Sequence, residues 1–169
     1  MGLLHIYCGD GKGKTTASLG LSLRMAGAGM RVAFVQFMKG SDTAELASLK
    51  LIPAITVMRC DRDYGFCGTL TDSDKQEITR CHNDLLEKAF SGDFDGIILD
   101  EFNIAYRFGL IDRERAAELI AANRERCETV LTGRGPDERF LAEADYISEI
   151  KCLRHPYEKG VQARKGIEY

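Results

Sequence analysis

Several features are missing from this sequence of 169 residues, and each absence argues against a class of protein. No apolar run approaches the roughly 20 residues that a membrane-spanning helix needs, so no membrane association is expected. A formal net charge of −3 provides no broad basic surface, so no nucleic-acid partner is expected either. The chain begins without a basic leader and soon enters a glycine-rich turn, which is typical of a first strand and not of a signal peptide.

The cysteines also lack the spacing of a metal or redox motif. There are six of them and no C-x-x-C pair, and Cys67, Cys81 and His82 do not have the regular spacing of a zinc site. We therefore expect reduced thiols in a cytoplasmic protein.

What the sequence does contain is the composition of an ordinary globular protein. Apolar residues make up 44% of it and charged residues 29%. We expect residues 1–169 to form a single domain, because a chain of this length can bury a sizeable core. Residues 154–169 show no clear periodicity and form a basic tail on an otherwise acidic chain.

Short apolar runs alternate with segments of helical period. Strands are predicted at residues 3–8, 31–37, 55–59, 96–100, 129–132 and 146–150. Helices are predicted at 13–28, from 42 or 43 to 51, behind the N-cap residues 71–74, from Asp112 to about Arg126, and after Gly135, with Pro136 in the first helical position. This alternation predicts an α/β fold with a mostly parallel sheet of five to six strands and helices on both faces.

The segment between the first strand and the first helix has the character of a phosphate-binding loop (P-loop). Its glycines let successive backbone N–H groups converge on a phosphate, and the following helix adds the positive end of its dipole. Lys14 supplies a full charge for the terminal phosphate oxygens, and the hydroxyl of Thr15 can ligate Mg²⁺. Cys8 replaces the first glycine of the usual G-x-x-x-x-G-K-[ST] pattern, so the loop is a variant. For Lys12, contact with phosphate and exposure to solvent both remain open. The predicted nucleotide-binding residues of the loop are Gly9, Asp10, Gly11, Lys12, Gly13, Lys14, Thr15 and Thr16.

Charged residues follow two later strands. Asp100 and Glu101 end the fourth strand, where a carboxylate can hold Mg²⁺ directly or through water. Adjacent strand residues point to opposite faces, so one acid is expected to face the metal and the other to cap the next helix or serve the substrate. Arg134, flanked by glycines after the fifth strand, is predicted to bind an anion at the carboxyl rim of the sheet. Together these features predict a P-loop NTPase-like domain.

In sequence, these pieces resemble the ATP:corrinoid adenosyltransferases of the cobalamin pathway. The resemblance rests on residues 9–17 (GDGKGKTTA), 35–40 (VQFMKG), 99–101 (LDE), 132–135 (TGRG) and the tail 155–169, which ends in KGIEY. The loop alone is not specific to that family. The loop, the QFMKG stretch and the KGIEY ending together are specific, and they span nearly the whole chain.

The resemblance implies transfer of the 5′-deoxyadenosyl group of ATP to reduced cobalt, with release of triphosphate. It also implies that ATP lies reversed in the loop, because C5′ must meet the cobalt(I) nucleophile. Lys14, Glu101 and Arg134 are the expected catalytic residues for this reaction. By family position, Thr15 and Glu101 are the expected Mg²⁺ ligands, with Asp100 as second choice. For Arg24, contact with the nucleoside and simple solvation both remain open.

The corrinoid side of the resemblance is less complete. In the family, two aromatic residues shield the lower face of cobalt, and Phe66 matches the first of them. The second is a tryptophan in some members, and this sequence has none. For Phe66, this role and simple packing under its own loop both remain open. Some members also carry an N-terminal helical extension over the site, whereas this sequence begins at its first strand, which leaves lid closure and corrinoid preference open. The family further implies a reduced flavin or flavoprotein as electron donor and a homodimer.

Two other functions remain open at this stage. One is a different P-loop phosphotransferase or ATPase, which would produce ADP with phosphate or a phosphorylated acceptor. The other is a non-catalytic, ATP-gated corrinoid carrier, which would bind both ligands without forming a cobalt–carbon bond.

Overall fold

The computed structural model describes residues 2–40, 43–60, 62 and 70–168. This part of the chain contains six strands, which are β1 (Leu4–Cys8), β2 (Val32–Gln36), β3 (Ile55–Arg59), β4 (Gly96–Asp100), β5 (Glu128–Thr132) and β6 (Tyr146–Glu149). Its α-helices are α1 (Lys14–Gly27), α2 (Ala44–Leu49), α3 (Asp72–Ser91), α4 (Phe102–Arg107), α5 (Arg113–Asn123) and α6 (Glu138–Glu143).

The strands form one six-stranded sheet in the order β3-β2-β4-β5-β1-β6. Every pairing is parallel, so the carboxyl ends of all six strands meet at one edge. The predicted α/β class, strand number and parallel sheet are confirmed. The order places β5 between β1, which leads into the P-loop, and β4, which ends in the acids.

Both faces of the sheet are covered, which explains why its strands are apolar without interruption. Ala33, Val35 and Phe37 face one core cluster, together with side chains of α3, α4, α5 and α6. The alternate residues Val32 and Phe34 face the other cluster, with side chains of α1 and α2. This is the period-two alternation that a pleated strand imposes on its side chains.

Two helix predictions need correction. Pro136 does not open a helix: α6 begins at Glu138, and the Asp137 side chain caps it by accepting a hydrogen bond from the Arg139 N–H at 3.0 Å. An aspartate provides the acceptor that a helix N-terminus requires, so the cap lies one residue beyond the proline. The helix that Asp112 caps ends at Asn123, short of Arg126.

The expectation of reduced thiols is wrong for one pair of cysteines. Cys60, just after β3, and Cys81, on α3, form a disulfide with a Cα–Cα distance of 6.2 Å. Their separation of 21 residues hid this pairing, because the two sulfurs come together only through the packing of α3 against the sheet beside β2. The described cysteines Cys8, Cys127 and Cys152 are free.

None of the helices in the described ranges is long and apolar enough to cross a membrane.

Candidate active site

The P-loop runs from Gly9 to Gly13 and is closely packed against the chain that follows β6. The Gly11 N–H donates to the carbonyl oxygen of Ile150 at 2.8 Å. A Cβ atom on Gly9, where φ is +97°, would approach that same oxygen to 2.4 Å, and one on Gly11 would approach it to 2.7 Å. The neighbouring backbone therefore requires glycine at both positions, whether or not a ligand is bound in the loop.

Lys14 begins α1 and turns back over the loop. Its Nζ donates to the carbonyl oxygen of Gly11 at 2.7 Å, and the residue is 9% exposed. Burial lowers the pKa of Lys14, and the nearby carboxylate of Glu101 opposes that shift. An anion bound in the loop would favour the charged amine further.

Asp100 is the centre of a hydrogen-bond network at the carboxyl ends of β4 and β5. The residue is fully buried, and its Oδ1 accepts hydrogen bonds from the hydroxyls of Thr15 at 2.9 Å and Thr132 at 2.8 Å. Its Oδ2 accepts from Nζ of Lys39 at 2.7 Å. Lys39 Nζ also lies 3.4 Å from Oγ1 of Thr15, so an ammonium group sits beside the hydroxyl and the carboxylate.

Glu101 is placed differently from its neighbour. Its backbone is left-handed, with φ +59°, and its N–H donates to Oγ1 of Thr132 at 3.0 Å. The Glu101 side chain lines the cleft, and its Oε2 is buried with no hydrogen-bond partner among the described residues. Burial and the adjacent Asp100 raise the pKa of Glu101, against the influence of three nearby cations. A carboxylate oxygen of this kind is suited to a cation.

Arg134 stands on the rim after β5, as the sequence predicted. The glycines on either side both have positive φ, +127° at Gly133 and +61° at Gly135. Nη2 of Arg134 reaches the carbonyl oxygen of Asp10 at 3.3 Å. The Asp10 carboxylate accepts from the Cys152 N–H at 3.2 Å, which lowers the pKa of Asp10.

Most of these groups line one cleft of about 1020 Å³, close to the upper limit of the usual range for small-molecule sites. Residues of α2 and residues of the tail also line this cleft. The tail is held to the loop by Glu168, which accepts from Nζ of Lys12 at 3.3 Å. Hydrogen bonds from Arg164 lower the pKa of Glu168 to about 2, so the carboxylate that accepts from Lys12 stays anionic. The predicted site residues that line the cleft are Asp10, Gly11, Lys12, Gly13, Lys14, Thr15, Thr16, Glu101 and Arg134.

The remaining predicted residues are placed elsewhere. Arg24 is exposed near the C-terminal end of α1 and is not among the described residues that line the cleft. Gly9, at the start of the loop, packs against Ile150 and does not line the cleft, and Asp100 lies buried beneath the cleft. Phe66 lies outside the described residues.

Sequence reasoning assigned no role to two residues that the structure brings to this site. Lys39 follows β2, the strand that pairs with β4. The last residue of β2, Gln36, is in register with Asp100, so the chain that follows β2 passes close to this carboxylate. Thr132 ends β5 and links Asp100 to Glu101. Both residues could have been predicted from their positions. Lys39 follows a buried strand and Thr132 ends one, and ligands bind at the carboxyl edge of a parallel sheet.

A glycine-rich loop between a buried strand and a helix, with a lysine and a threonine facing an acid at the end of another strand, defines a P-loop nucleotide-binding protein. Comparison with known proteins narrows the class. Residues 1–169 match the model of the family described as ATP:corrinoid adenosyltransferase BtuR/CobO/CobP, and the chain belongs to that family.

Individual relatives agree with the family match. The corrinoid adenosyltransferase of Pseudomonas aeruginosa is 30% identical, over 99% of this chain and 84% of its own length. The corrinoid adenosyltransferase CobA of Salmonella typhimurium is 27% identical, over 99% of this chain and 86% of its own. The corrinoid adenosyltransferase of Escherichia coli K12 is 26% identical with the same two coverages.

Proposed function

We propose that this protein transfers the 5′-deoxyadenosyl group of ATP to the cobalt(I) centre of a corrinoid and releases triphosphate. The observation that carries the proposal is a P-loop whose Lys14 and Thr15 face the acids that end β4, in a chain that matches the adenosyltransferase family throughout. The cobalt is the substrate and itself supplies the electron pair. A cobalt–carbon bond forms to C5′, the C5′–O bond breaks, and its electron pair leaves with the triphosphate.

This chemistry needs stabilisation of a leaving anion and no general base. The loop N–H groups, Lys14 and Arg134 are the groups we assign to the triphosphate, because they surround the cleft with fixed positive charge. Lys39 adds a further ammonium beside Thr15. Charge that is already oriented in a partly closed site stabilises the transition state more than the same charge in water.

The donor set also fits Mg²⁺, which we assign to Thr15, Glu101 and Asp100. The fit is supported by Oε2 of Glu101, which is buried and has no hydrogen-bond partner among the described residues, and by the carboxylate of the adjacent Asp100. Mg²⁺ bound there would neutralise charge on the phosphate oxygens. The residues themselves hold the two carboxylates at fixed positions through Thr132, which contacts the Asp100 side chain and the Glu101 backbone.

Further parts of the proposal rest on the family resemblance. We assign Phe66 to the lower face of the corrinoid. A reduced flavin or flavoprotein would supply the electron that reduces cobalt to cobalt(I). The active protein would be a homodimer in the cytoplasm. Single-domain organisation over residues 1–169 belongs to the proposal as well.

The identity of the leaving group separates this function from the alternatives. Purified protein would be incubated with ATP, Mg²⁺ and chemically reduced cob(I)alamin, and the nucleotide products separated by anion-exchange chromatography. Adenosyl transfer gives triphosphate. ADP with phosphate would indicate an ordinary P-loop hydrolase or kinase, and binding without products would indicate a carrier.

A further inference from the structure

One buried polar side chain lies close to the site without lining the cleft. His82, on α3, is 2% exposed, and its ring meets the ring of Phe37 edge-on at a centroid distance of 5.0 Å. No sequence motif connects this histidine with the nucleotide, because His82 lies on a helix that packs against the sheet.

Both ring nitrogens of His82 contact backbone groups, and these contacts fix its protonation. Nδ1 lies 2.9 Å from the carbonyl oxygen of Leu110, which can only accept, so Nδ1 carries a proton. The Met38 N–H donates to Nε2 at 3.3 Å, so Nε2 carries none. His82 is therefore neutral, in a single tautomer, and links α3 to the chain that follows β2.

The residue that His82 holds has an uncommon backbone conformation. Met38 has φ +58°, in the left-handed region that residues other than glycine rarely adopt. Such a conformation persists where the surroundings fix it. The Phe37 N–H, one residue earlier, donates to the carbonyl oxygen of Asp100 at 3.0 Å, so successive N–H groups of this turn are anchored on two different elements.

The turn at Met38 determines where the next side chain goes. Lys39 leaves it towards the site, where its Nζ contacts Oδ2 of Asp100 at 2.7 Å and approaches Oγ1 of Thr15. A lysine side chain on an unanchored turn would have many alternative rotamers in an open cleft, and ordering it would lower the affinity for its ligand.

We propose that His82 is a positioning residue, which accepts the Met38 N–H and thereby holds the Lys39 ammonium group in place for ATP. The inference rests on the proposed function, because that function assigns Lys39 to the nucleotide site. His82 itself does not line the cleft, so its effect on a nucleotide bound there must pass through Lys39.

A double-mutant cycle on ATP binding tests this. The dissociation constant of Mg-ATP is measured by calorimetry, without corrinoid, for the unaltered protein, His82→Leu, Lys39→Met and the double variant. We expect His82→Leu to weaken binding about tenfold, in line with the loss of one hydrogen bond. In the Lys39→Met background the same change should have less than a twofold effect. Equal losses in both backgrounds, or no loss in either, would overturn the proposal.

Two further variants keep the test valid if His82→Leu folds poorly. The amide of His82→Gln can reach the Met38 N–H, whereas the shorter amide of His82→Asn can reach only the Leu110 carbonyl. Binding restored by glutamine and not by asparagine supports positioning through Met38, and the reverse order contradicts it. Because calorimetry of ATP alone does not depend on adenosyl transfer, failure of the proposed function would appear only in the product assay.

Discussion

The hydroxyl of Thr15 donates a hydrogen bond to Oδ1 of Asp100 at 2.9 Å and so joins the P-loop to β4, a strand that is not adjacent to β1. The strand between them, β5, contributes Thr132, which donates to the same oxygen at 2.8 Å. The first turn of α1 and the ends of β4 and β5 therefore share one buried carboxylate. A change in any of these groups should affect how the site receives a metal-bound nucleotide.

Thr15→Val should weaken Mg-ATP binding by at least tenfold while changing the binding of ATP in EDTA by less than twofold. Valine keeps the shape of threonine and removes the hydroxyl that we assign to Mg²⁺. Calorimetric titrations with and without Mg²⁺ provide the comparison. Thr56→Val, at an exposed position on β3, is the matched control and should behave as the unaltered protein. A similar loss of affinity in both conditions would remove Thr15 from the metal site.

Lys14→Ala should lower the rate of triphosphate release by about 10²- to 10³-fold, the usual effect of removing one donor that stabilises a developing anion. The free energy of unfolding should not fall, because burial already lowers the pKa of Lys14 and so disfavours its charge in the folded protein. Triphosphate assays and urea unfolding measure the two quantities. The control is Lys75→Ala, an exposed lysine of α3. Triphosphate release retained by the Lys14 variant would contradict our assignment of the loop.

The sequence predicted the parts of this protein that depend on local pattern. β4 was predicted with its true ends, Gly96 and Asp100, since an unbroken apolar run between polar residues is typical of a buried parallel strand. The P-loop could be located because its function constrains consecutive residues. The capping of α3 by Thr71 was also readable, since N-cap residues precede an apolar helical face.

What the sequence did not predict depends on contacts between distant segments. Lys39 reaches Asp100 only because β2 pairs with β4, and no local pattern specifies that pairing. The Cys60–Cys81 disulfide depends in the same way on how α3 packs against the sheet. The prediction of a helix beginning at Pro136 was wrong for a different reason. Proline is favoured in the first turn of a helix, but here the aspartate that follows it provides the cap.

The disulfide predicts a difference in thiol count and in stability. Alkylation of denatured protein should modify two more cysteines after reduction than before, as counted by intact mass. Cys60→Ser should lower the free energy of unfolding by roughly 3 kcal/mol in oxidising buffer, since the bridge closes a loop of moderate length and constrains the unfolded chain. In reducing buffer that variant and the unaltered protein should differ little. Equal thiol counts before and after reduction would show that the two cysteines are not linked.

His82 predicts how stability depends on pH. Burial lowers its pKa to about 4, below the ordinary value of 6.5, because the ring is held without charge. Between these values the unfolded chain binds a proton that the folded chain does not, so stability falls as pH decreases from 6.5 towards 4. The difference corresponds to about 3 kcal/mol. Urea unfolding at pH 7 and pH 4.5 should show a steeper loss for the unaltered protein than for His82→Gln, and identical losses would contradict a neutral His82.

Adenosyl transfer can be observed at the cobalt itself. Protein, Mg-ATP and chemically reduced cob(I)alamin are mixed under anaerobic conditions, and the corrin absorbance is recorded while triphosphate is assayed. If the protein is an adenosyltransferase, a light-sensitive adenosyl–cobalt spectrum appears, and adenosylcobalamin and triphosphate form in equal amounts. A cob(I)alamin spectrum that remains unchanged while ATP is converted to ADP and phosphate would contradict this function.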